Sequence, residues 1–86
     1  MSKTHSARTA TMRISQAATA AGVSRQTVEY YIMLGLIVPI RSEGGRRSFD
    51  AALVRRIRLV RKLNRTGYTL RSIRETYLAR RGRAGK

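Results

Sequence analysis

Residues 22–37 read GVSRQTVEYYIMLGLI, and this stretch decides the fold of the chain. Ser24 is a good N-cap residue, and apolar side chains recur at helical spacing from Val28 onward. Gly35 ends the pattern, as glycine commonly does just after a helix. The stretch therefore predicts one short amphipathic helix.

A second helix is predicted just ahead of it. Residues 16–21 are rich in alanine, which favours a helix and allows close packing, and Ser15 can serve as its N-cap. Gly22 ends this first helix and leaves room only for a tight turn before the next. The sequence thus predicts a helix-turn-helix.

A small β-hairpin is predicted directly after these helices. Residues 36–39 form an extended apolar run, because Pro39 cannot continue a helix. Two adjacent glycines within residues 41–46 can adopt the positive φ that a tight turn requires. Residues 47–49 then return as the second strand, with Phe49 facing inward and the arginines outward.

Two further helices complete the expected fold. Asp50 is a suitable N-cap for a helix over residues 51–66, and Thr69 for a last helix from residue 70 to about residue 80. The buried stripe of the third helix is expected to comprise Leu53, Ile57, Val60 and Leu63, with Val54 beside it, and the last helix to cover it with Leu70, Ile73 and Tyr77. The predicted fold class is mainly α, with four helices and a small two-stranded β-wing.

The composition points to an anionic partner. The chain has 86 residues, enough for one small domain, and 19 Lys and Arg against four Asp and Glu give a net charge of +15. The third helix contains no Glu or Asp that could pair with its basic residues at i,i+4, so nearby phosphates explain this charge better than stability does. Double-stranded DNA is the expected partner.

Several functional classes are excluded by what the sequence lacks. There is no cysteine, and therefore no disulfide framework, thiolate metal site or iron–sulfur cluster. The sequence has no carboxylate pair, Ser/His set or glycine-rich phosphate loop that would suggest an enzyme. No metal or other cofactor is expected. The chain lacks both a signal peptide and an apolar run long enough for a membrane span, which predicts a cytoplasmic, nucleoid-associated protein without membrane contact.

Three blocks of sequence resemble the MerR-type transcription regulators. They are GVS-x-x-TV-x-YY-x-x-x-GLI, then Gly45-x-Arg47-x-Phe49, then GYTL-x-x-I over residues 67–73. The resemblance covers residues 12–78 and implies a winged helix-turn-helix. We therefore expect a disordered basic arm at residues 1–11, a MerR-like DNA-binding domain at residues 12–80 and a basic tail at residues 81–86.

The resemblance also concerns assembly and mechanism. MerR-like proteins usually continue into a long helix that forms a coiled coil between subunits, and then into a sensor domain, and this chain stops at Lys86. A regulator without a sensor domain or a coiled-coil dimer helix is therefore expected. Further copies of the chain, bound side by side on DNA, are one candidate partner. RNA polymerase is another. The family distorts promoter DNA, but repression or simple occupancy is equally open.

The start of the second helix is expected to contact bases. In a helix-turn-helix these N-terminal residues face the major groove, and here they are Arg25, Gln26 and Thr27, followed by Tyr30. Gln26 can form two hydrogen bonds to adenine, and Arg25 can bind guanine or a phosphate. The methyl group of Thr27 either packs on thymine or supports the local fold. The expected phosphate contacts are Arg13, Ser24, Tyr31, Arg41, Arg46, Arg47, Arg61, Arg65 and Thr69. Of these, Arg61 or Arg65 is expected to act with the helix N-terminus at residues 69–70.

Two positions in the second helix need separate explanation. Tyr30 and Tyr31 are about 100° apart on a helix, so we expect Tyr31 on the buried stripe with its hydroxyl at the edge and Tyr30 exposed. Glu29 replaces the arginine that many MerR-like proteins carry, and an acid near phosphates lowers affinity unless it is paired. We expect it to pair with Arg25, four residues earlier.

The predicted function is sequence-specific binding of double-stranded DNA as a transcription regulator. One alternative is an excisionase-like architectural factor that bends DNA with a similar fold. Another is a basic RNA- or ribosome-associated protein, for which the net charge of +15 would be sufficient.

Overall fold

The computed structural model describes residues 10–41 and 43–78, so residues 1–9 of the arm predicted over residues 1–11, and everything after residue 78, lie outside the described residues. Each predicted helix is present, and a two-stranded antiparallel sheet lies between the second and the third. The elements are α1 (Ile14–Ala21), α2 (Arg25–Met33), β1 (Ile40–Arg41), a 3-10 turn (Glu43–Gly45), β2 (Arg47–Ser48), α3 (Ala51–Arg65) and α4 (Leu70–Ser72), which continues as a π-helix (Ile73–Leu78). This is the winged helix-turn-helix fold.

The start of α1 differs from the prediction. Its N-cap is Arg13 rather than Ser15, so the helix begins two residues earlier than the alanine pattern indicates. The side chain of Gln16 explains the earlier start, because its Oε1 accepts a hydrogen bond from the backbone N–H of Arg13 at 3.0 Å. The half-buried Ile14 then packs against the core and adds to the helix.

The first strand of the hairpin also lies later than predicted. Residues 36 and 37 do not pair in the sheet, since the N–H of Leu36 donates to the carbonyl of Tyr31 at 2.9 Å and thereby closes the end of α2. Strand pairing begins only at Ile40, which is opposite Ser48. The glycine turn forms as predicted, with Gly44 at φ 84° and Gly45 at φ 76°.

The segment just before α1 pairs with the base of the hairpin, a contact that was not predicted from the sequence. Met12 and Phe49 exchange both backbone hydrogen bonds, at 2.8 and 2.9 Å, in an isolated antiparallel bridge. Phe49 is fully buried, as predicted, so its backbone and its ring both anchor the hairpin.

The core lies between α1, α2 and α3. Asp50 caps α3 as predicted, accepting from the N–H of Leu53 at 2.9 Å. The buried stripe of α3 is centred on Val54, Ile57 and Val60, whereas Leu53 and Leu63 lie half-buried at its edges. The largest fully buried side chains are those of Phe49, Leu36, Ile37, Ile57, Ile73, Val28 and Val60.

The cover provided by the last helix agrees with the prediction where it is described. Ile73 is fully buried and Leu70 is partly buried, while the side chain of Tyr77 lies outside the described set. Each helix within residues 10–41 and 43–78 is too short or too polar to cross a bilayer.

Candidate nucleic-acid interface

The helix α2 begins with a two-sided hydrogen-bonded cap. Ser24 Oγ accepts from the backbone N–H of Thr27 at 3.0 Å, and the hydroxyl groups of the two residues are 2.9 Å apart. Val28 and Tyr31 face the core, and Arg25 and Gln26 are exposed in the first turn. Arg25 and Gln26 are therefore available to a ligand. The Thr27 hydroxyl supports the cap, which agrees with the expectation that Thr27 supports the local fold.

The tyrosine pair divides as predicted. Tyr30 is 49% exposed, whereas Tyr31 is 5% exposed. Burial raises the pKa of the Tyr31 phenol, and the positive charge of Arg61 partly opposes this. Arg61 of α3 is therefore close enough to Tyr31 of α2 for its charge to affect the pKa of the phenol.

Glu29 has a closer partner than the predicted one. Its carboxylate accepts hydrogen bonds from both terminal guanidinium nitrogens of Arg47, at 3.1 and 3.0 Å. The predicted partner Arg25 is also present, with its Nε 3.8 Å from Glu29 Oε2. The hydrogen bonds from Arg47 lower the pKa of Glu29 below its usual range, and the same contact raises the pKa of Arg47.

Two arginines of the hairpin, Arg46 and Arg47, lie beside the start of α1. Arg13, Arg46 and Arg47 line a shared groove of about 280 Å³ together with Ile14. Arg41 is exposed, and its Nη1 donates to the carbonyl of Gly45 at 3.1 Å, across the turn. Three of the predicted phosphate contacts, Arg13, Arg46 and Arg47, thus line one groove.

A second basic groove lies where the C-terminal half of α3 passes the end of α1. Arg61 and Arg65 line it with two basic residues not among the predicted contacts, Arg58 and Lys62, and its remaining walls are Ala21 and Thr66. Spacing alone could have indicated this set, because residues at positions i, i+3, i+4 and i+7 share one face of a helix. The predicted residues Arg61 and Arg65 are therefore part of a basic stripe of four.

The predicted site at the start of α4 has its own local structure. Thr69 is exposed and caps the helix, with its Oγ1 accepting from the N–H of Ser72 at 3.0 Å. The side-chain amide of Asn64 donates to the carbonyl of Tyr68 at 2.8 Å and fixes the preceding turn. This turn holds the N-terminus of α4 in a fixed position relative to α3.

Two further arginines line a groove with the exposed face of α2, and the sequence reading missed them. Arg71 and Arg74 of the last helix line a groove with Tyr30 and Met33. Each has a carboxylate oxygen of Glu75 nearby, at 3.1 Å from Arg71 and 3.9 Å from Arg74. The only available signal was the basic composition of the last helix, which does not indicate which neighbour it meets.

Two arginine-bearing elements therefore meet α2. Arg47 of the hairpin binds Glu29, and Arg71 and Arg74 of the last helix line a groove with Tyr30 and Met33. Comparison with protein families gives a match to the description "MerR HTH family regulatory protein" over residues 12–79, most of the chain. The chain belongs to the MerR family.

Its MerR relatives include curated proteins named as regulators. It is 37% identical over 62 residues to the mercuric resistance operon regulatory protein of Bacillus cereus, covering 71% of this chain and 47% of that protein. It is 45% identical over 47 residues to the HTH-type transcriptional regulator CueR of Bacillus subtilis, covering 55% and 33%. The chain thus spans less than half the length of these relatives.

Two solved MerR structures share its fold. The regulator PbrR691 of Ralstonia metallidurans CH34, in complex with lead(II), has a TM-score of 0.77 at 35% identity and covers 85% of this chain and 57% of that one. HiNmlR, described as a MerR family regulator lacking the sensor domain and bound to promoter DNA, has a TM-score of 0.75 at 28% identity and covers 90% and 58%. The MerR winged helix-turn-helix predicted from the sequence is confirmed.

Proposed function

We propose that this MerR-family chain binds double-stranded promoter DNA with sequence preference and so regulates transcription. The observation that carries the proposal is that α2 exposes Arg25, Gln26 and Tyr30 and is met by arginines of both the hairpin and the last helix. A helix of this width fits the major groove, and an extended pair of flanking elements can follow the strands on either side.

Base reading is assigned to the first turn of α2 and to Tyr30. Gln26 can make two hydrogen bonds to adenine, and Arg25 can make two to guanine or contact a phosphate. Thr27 is held in the cap by Ser24, which leaves its methyl group as the part suited to thymine. Tyr31 is mostly buried and would offer only its hydroxyl to the backbone.

Phosphate contact is assigned to three surrounding groups. The first is the groove at the hairpin, with Arg13, Arg46 and Arg47, together with Arg41 across the turn. The second is the basic stripe of α3, and the third is the start of the last helix at Thr69. Ser24, at the N-terminus of α2, adds a fourth polar position close to the strands.

Selection of bound sites from random duplexes tests this proposal most directly. The expected result is a defined motif about one groove long, recovered by the purified chain and confirmed by footprinting at promoters. Clusters of sites beside recombination sequences would favour an architectural DNA-bending role instead. Tighter binding to structured RNA than to duplex DNA at moderate salt would contradict the proposal.

Salt dependence measures the phosphate contacts separately. If about six phosphates are neutralised, the logarithm of affinity should fall against the logarithm of salt concentration with a slope of about −5. A slope near −1 would contradict a phosphate clamp built from these three groups.

The proposal includes where and with what the chain acts. Promoter binding places it on the nucleoid in the cytoplasm, and it acts by binding rather than by catalysis. The proposed protein partners are adjacent copies of the chain on DNA, and RNA polymerase at the promoter. Size-exclusion chromatography of the chain with a two-site duplex, with and without polymerase, tests both.

A further inference from the structure

The hairpin and α2 are joined by a bidentate ion pair. Arg47 of β2 donates to both carboxylate oxygens of Glu29, although the two residues are 18 positions apart. The side chains are only partly exposed, at 33% for Arg47 and 38% for Glu29. A planar guanidinium bound by two parallel hydrogen bonds has a fixed direction as well as a fixed position.

The hairpin has little structure of its own to fix its direction. Its strands pair at two positions, Ile40 with Ser48 and Arg41 with Arg47, and both residues of β1 are exposed. Two-stranded hairpins of this kind are at best marginally stable alone. The buried base at Ser48 and Phe49 anchors the hairpin, and the bonds from Arg47 to Glu29 add a second link, to α2.

We propose that Glu29 is a positioning residue of the DNA interface: through Arg47 it holds the hairpin at one angle to α2, so that both elements meet DNA in one geometry. The proposal rests on the DNA binding proposed above. A guanidinium has five N–H groups, and the bonds to Glu29 account for two of them. Arg47 can therefore contact a phosphate while Glu29 holds it.

This role makes a prediction opposite to that of simple charge repulsion. A carboxylate near phosphates repels them, so its neutralisation alone would tighten DNA binding. If Glu29 positions Arg47, the variant Glu29→Gln instead weakens binding to the preferred duplex by about two- to fivefold, the range expected for a partly exposed ion pair. The ratio of preferred to scrambled duplex affinity falls with it.

The matched control is Glu75→Gln. This variant makes the same change in charge and also removes ion pairs with arginines, Arg71 at 3.1 Å and Arg74 at 3.9 Å, but Glu75 belongs to the last helix and not to the hairpin contact. Fluorescence anisotropy with the selected duplex and a scrambled one is the measurement. We expect Glu75→Gln to tighten binding to both duplexes slightly, and equal tightening by Glu29→Gln would overturn the proposal.

A double-mutant cycle identifies the partner. In an Arg47→Ala background, Glu29→Gln should no longer weaken binding, because there is no guanidinium left to position. A loss that persists in this background would assign the effect to Arg25, whose Nε is 3.8 Å away, and would overturn the role of Arg47.

The free protein provides a readout that does not depend on DNA. Amide hydrogen exchange followed by NMR should show faster exchange at Ile40 and Ser48 in Glu29→Gln than in wild type, with little change in α3. Unchanged exchange in the hairpin would overturn the inference. If wild type shows no preference for any duplex while Glu29→Gln still loosens the hairpin, the proposed function fails and the positioning contact stands.

Discussion

Arg47 Nη1 and Nη2 lie 3.1 and 3.0 Å from the two carboxylate oxygens of Glu29, and this pair links the hairpin to the helix that carries the candidate base contacts. Because both side chains are about one-third exposed, salt and solvent weaken their attraction. The pair is therefore better suited to fixing an angle than to stabilising the whole fold.

The stability that this pair contributes should depend on pH. Contact with Arg47 lowers the pKa of Glu29 in the folded state, so the folded chain releases this proton more readily than the unfolded chain. The contribution is present above the unfolded pKa of about 4.3 and is lost as pH falls through the lower folded value. The melting temperature of wild type should exceed that of Glu29→Gln at pH 6, and the difference should shrink toward pH 3. A difference independent of pH would contradict the ionic origin.

Ser24 and Ser15 offer a matched test of capping. Ser24 Oγ accepts from the N–H of Thr27, whereas α1 is capped at Arg13 and contains Ser15 within its first turn. We expect Ser24→Ala to lower the free energy of unfolding by about 1 kcal/mol. Ser15→Ala should change it by less than about 0.5 kcal/mol. Urea unfolding followed by circular dichroism measures both, and equal losses would contradict the assigned caps.

Phe49 should dominate the stability of the hairpin base. Its ring is fully buried and its backbone pairs with Met12, so Phe49→Ala leaves a cavity where the chain start, hairpin and core meet. We expect a loss of about 3–5 kcal/mol in the free energy of unfolding, which is a large part of the roughly 5–15 kcal/mol of a typical domain. Met33→Ala is the control, because Met33 is 75% exposed and its truncation should cost less than about 0.5 kcal/mol. Thermal unfolding distinguishes the two.

Gln26 and Arg65 should differ in what they contribute to DNA binding. Gln26→Ala should relax sequence preference at one base pair by about 1–3 kcal/mol, because Gln26 is assigned to a base edge. Arg65→Ala should weaken all duplexes alike and reduce the magnitude of the salt slope by about 1, because Arg65 is assigned to a phosphate. Binding to single-base variants of the selected site, at several salt concentrations, measures both effects. The reverse result would mean that the two roles are interchanged.

Local patterns in the sequence predicted much of this molecule. The caps at Ser24, Asp50 and Thr69 depend on residues three positions away, and each forms as expected. The division of Tyr30 and Tyr31 between surface and core follows from helical geometry alone. The site residues themselves remain predictions, which the proposed binding experiments test.

Contacts between distant parts of the chain could not be predicted in the same way. The bond from Arg56 Nε to the carbonyl of Leu36, at 3.2 Å, joins positions 20 apart, and the pair of Glu29 with Arg47 is similar. Helical spacing identified Arg25 as a partner for Glu29, but only the folded hairpin brings Arg47 closer. The earlier start of α1 is a local effect of Gln16, which binds the N–H of Arg13, but the bridge from the adjacent Met12 to the distant Phe49 could not be predicted.

The bridge between Met12 and Phe49 has a practical consequence for labelling. Because Met12 pairs with the residue that follows β2, a fluorophore attached just ahead of it is held near the hairpin rather than at a remote end. If the hairpin contacts DNA as proposed, the emission of this fluorophore would change on duplex binding. For the same reason, a bulky affinity tag fused at this point would lie close to the hairpin and obstruct the proposed DNA-binding surface.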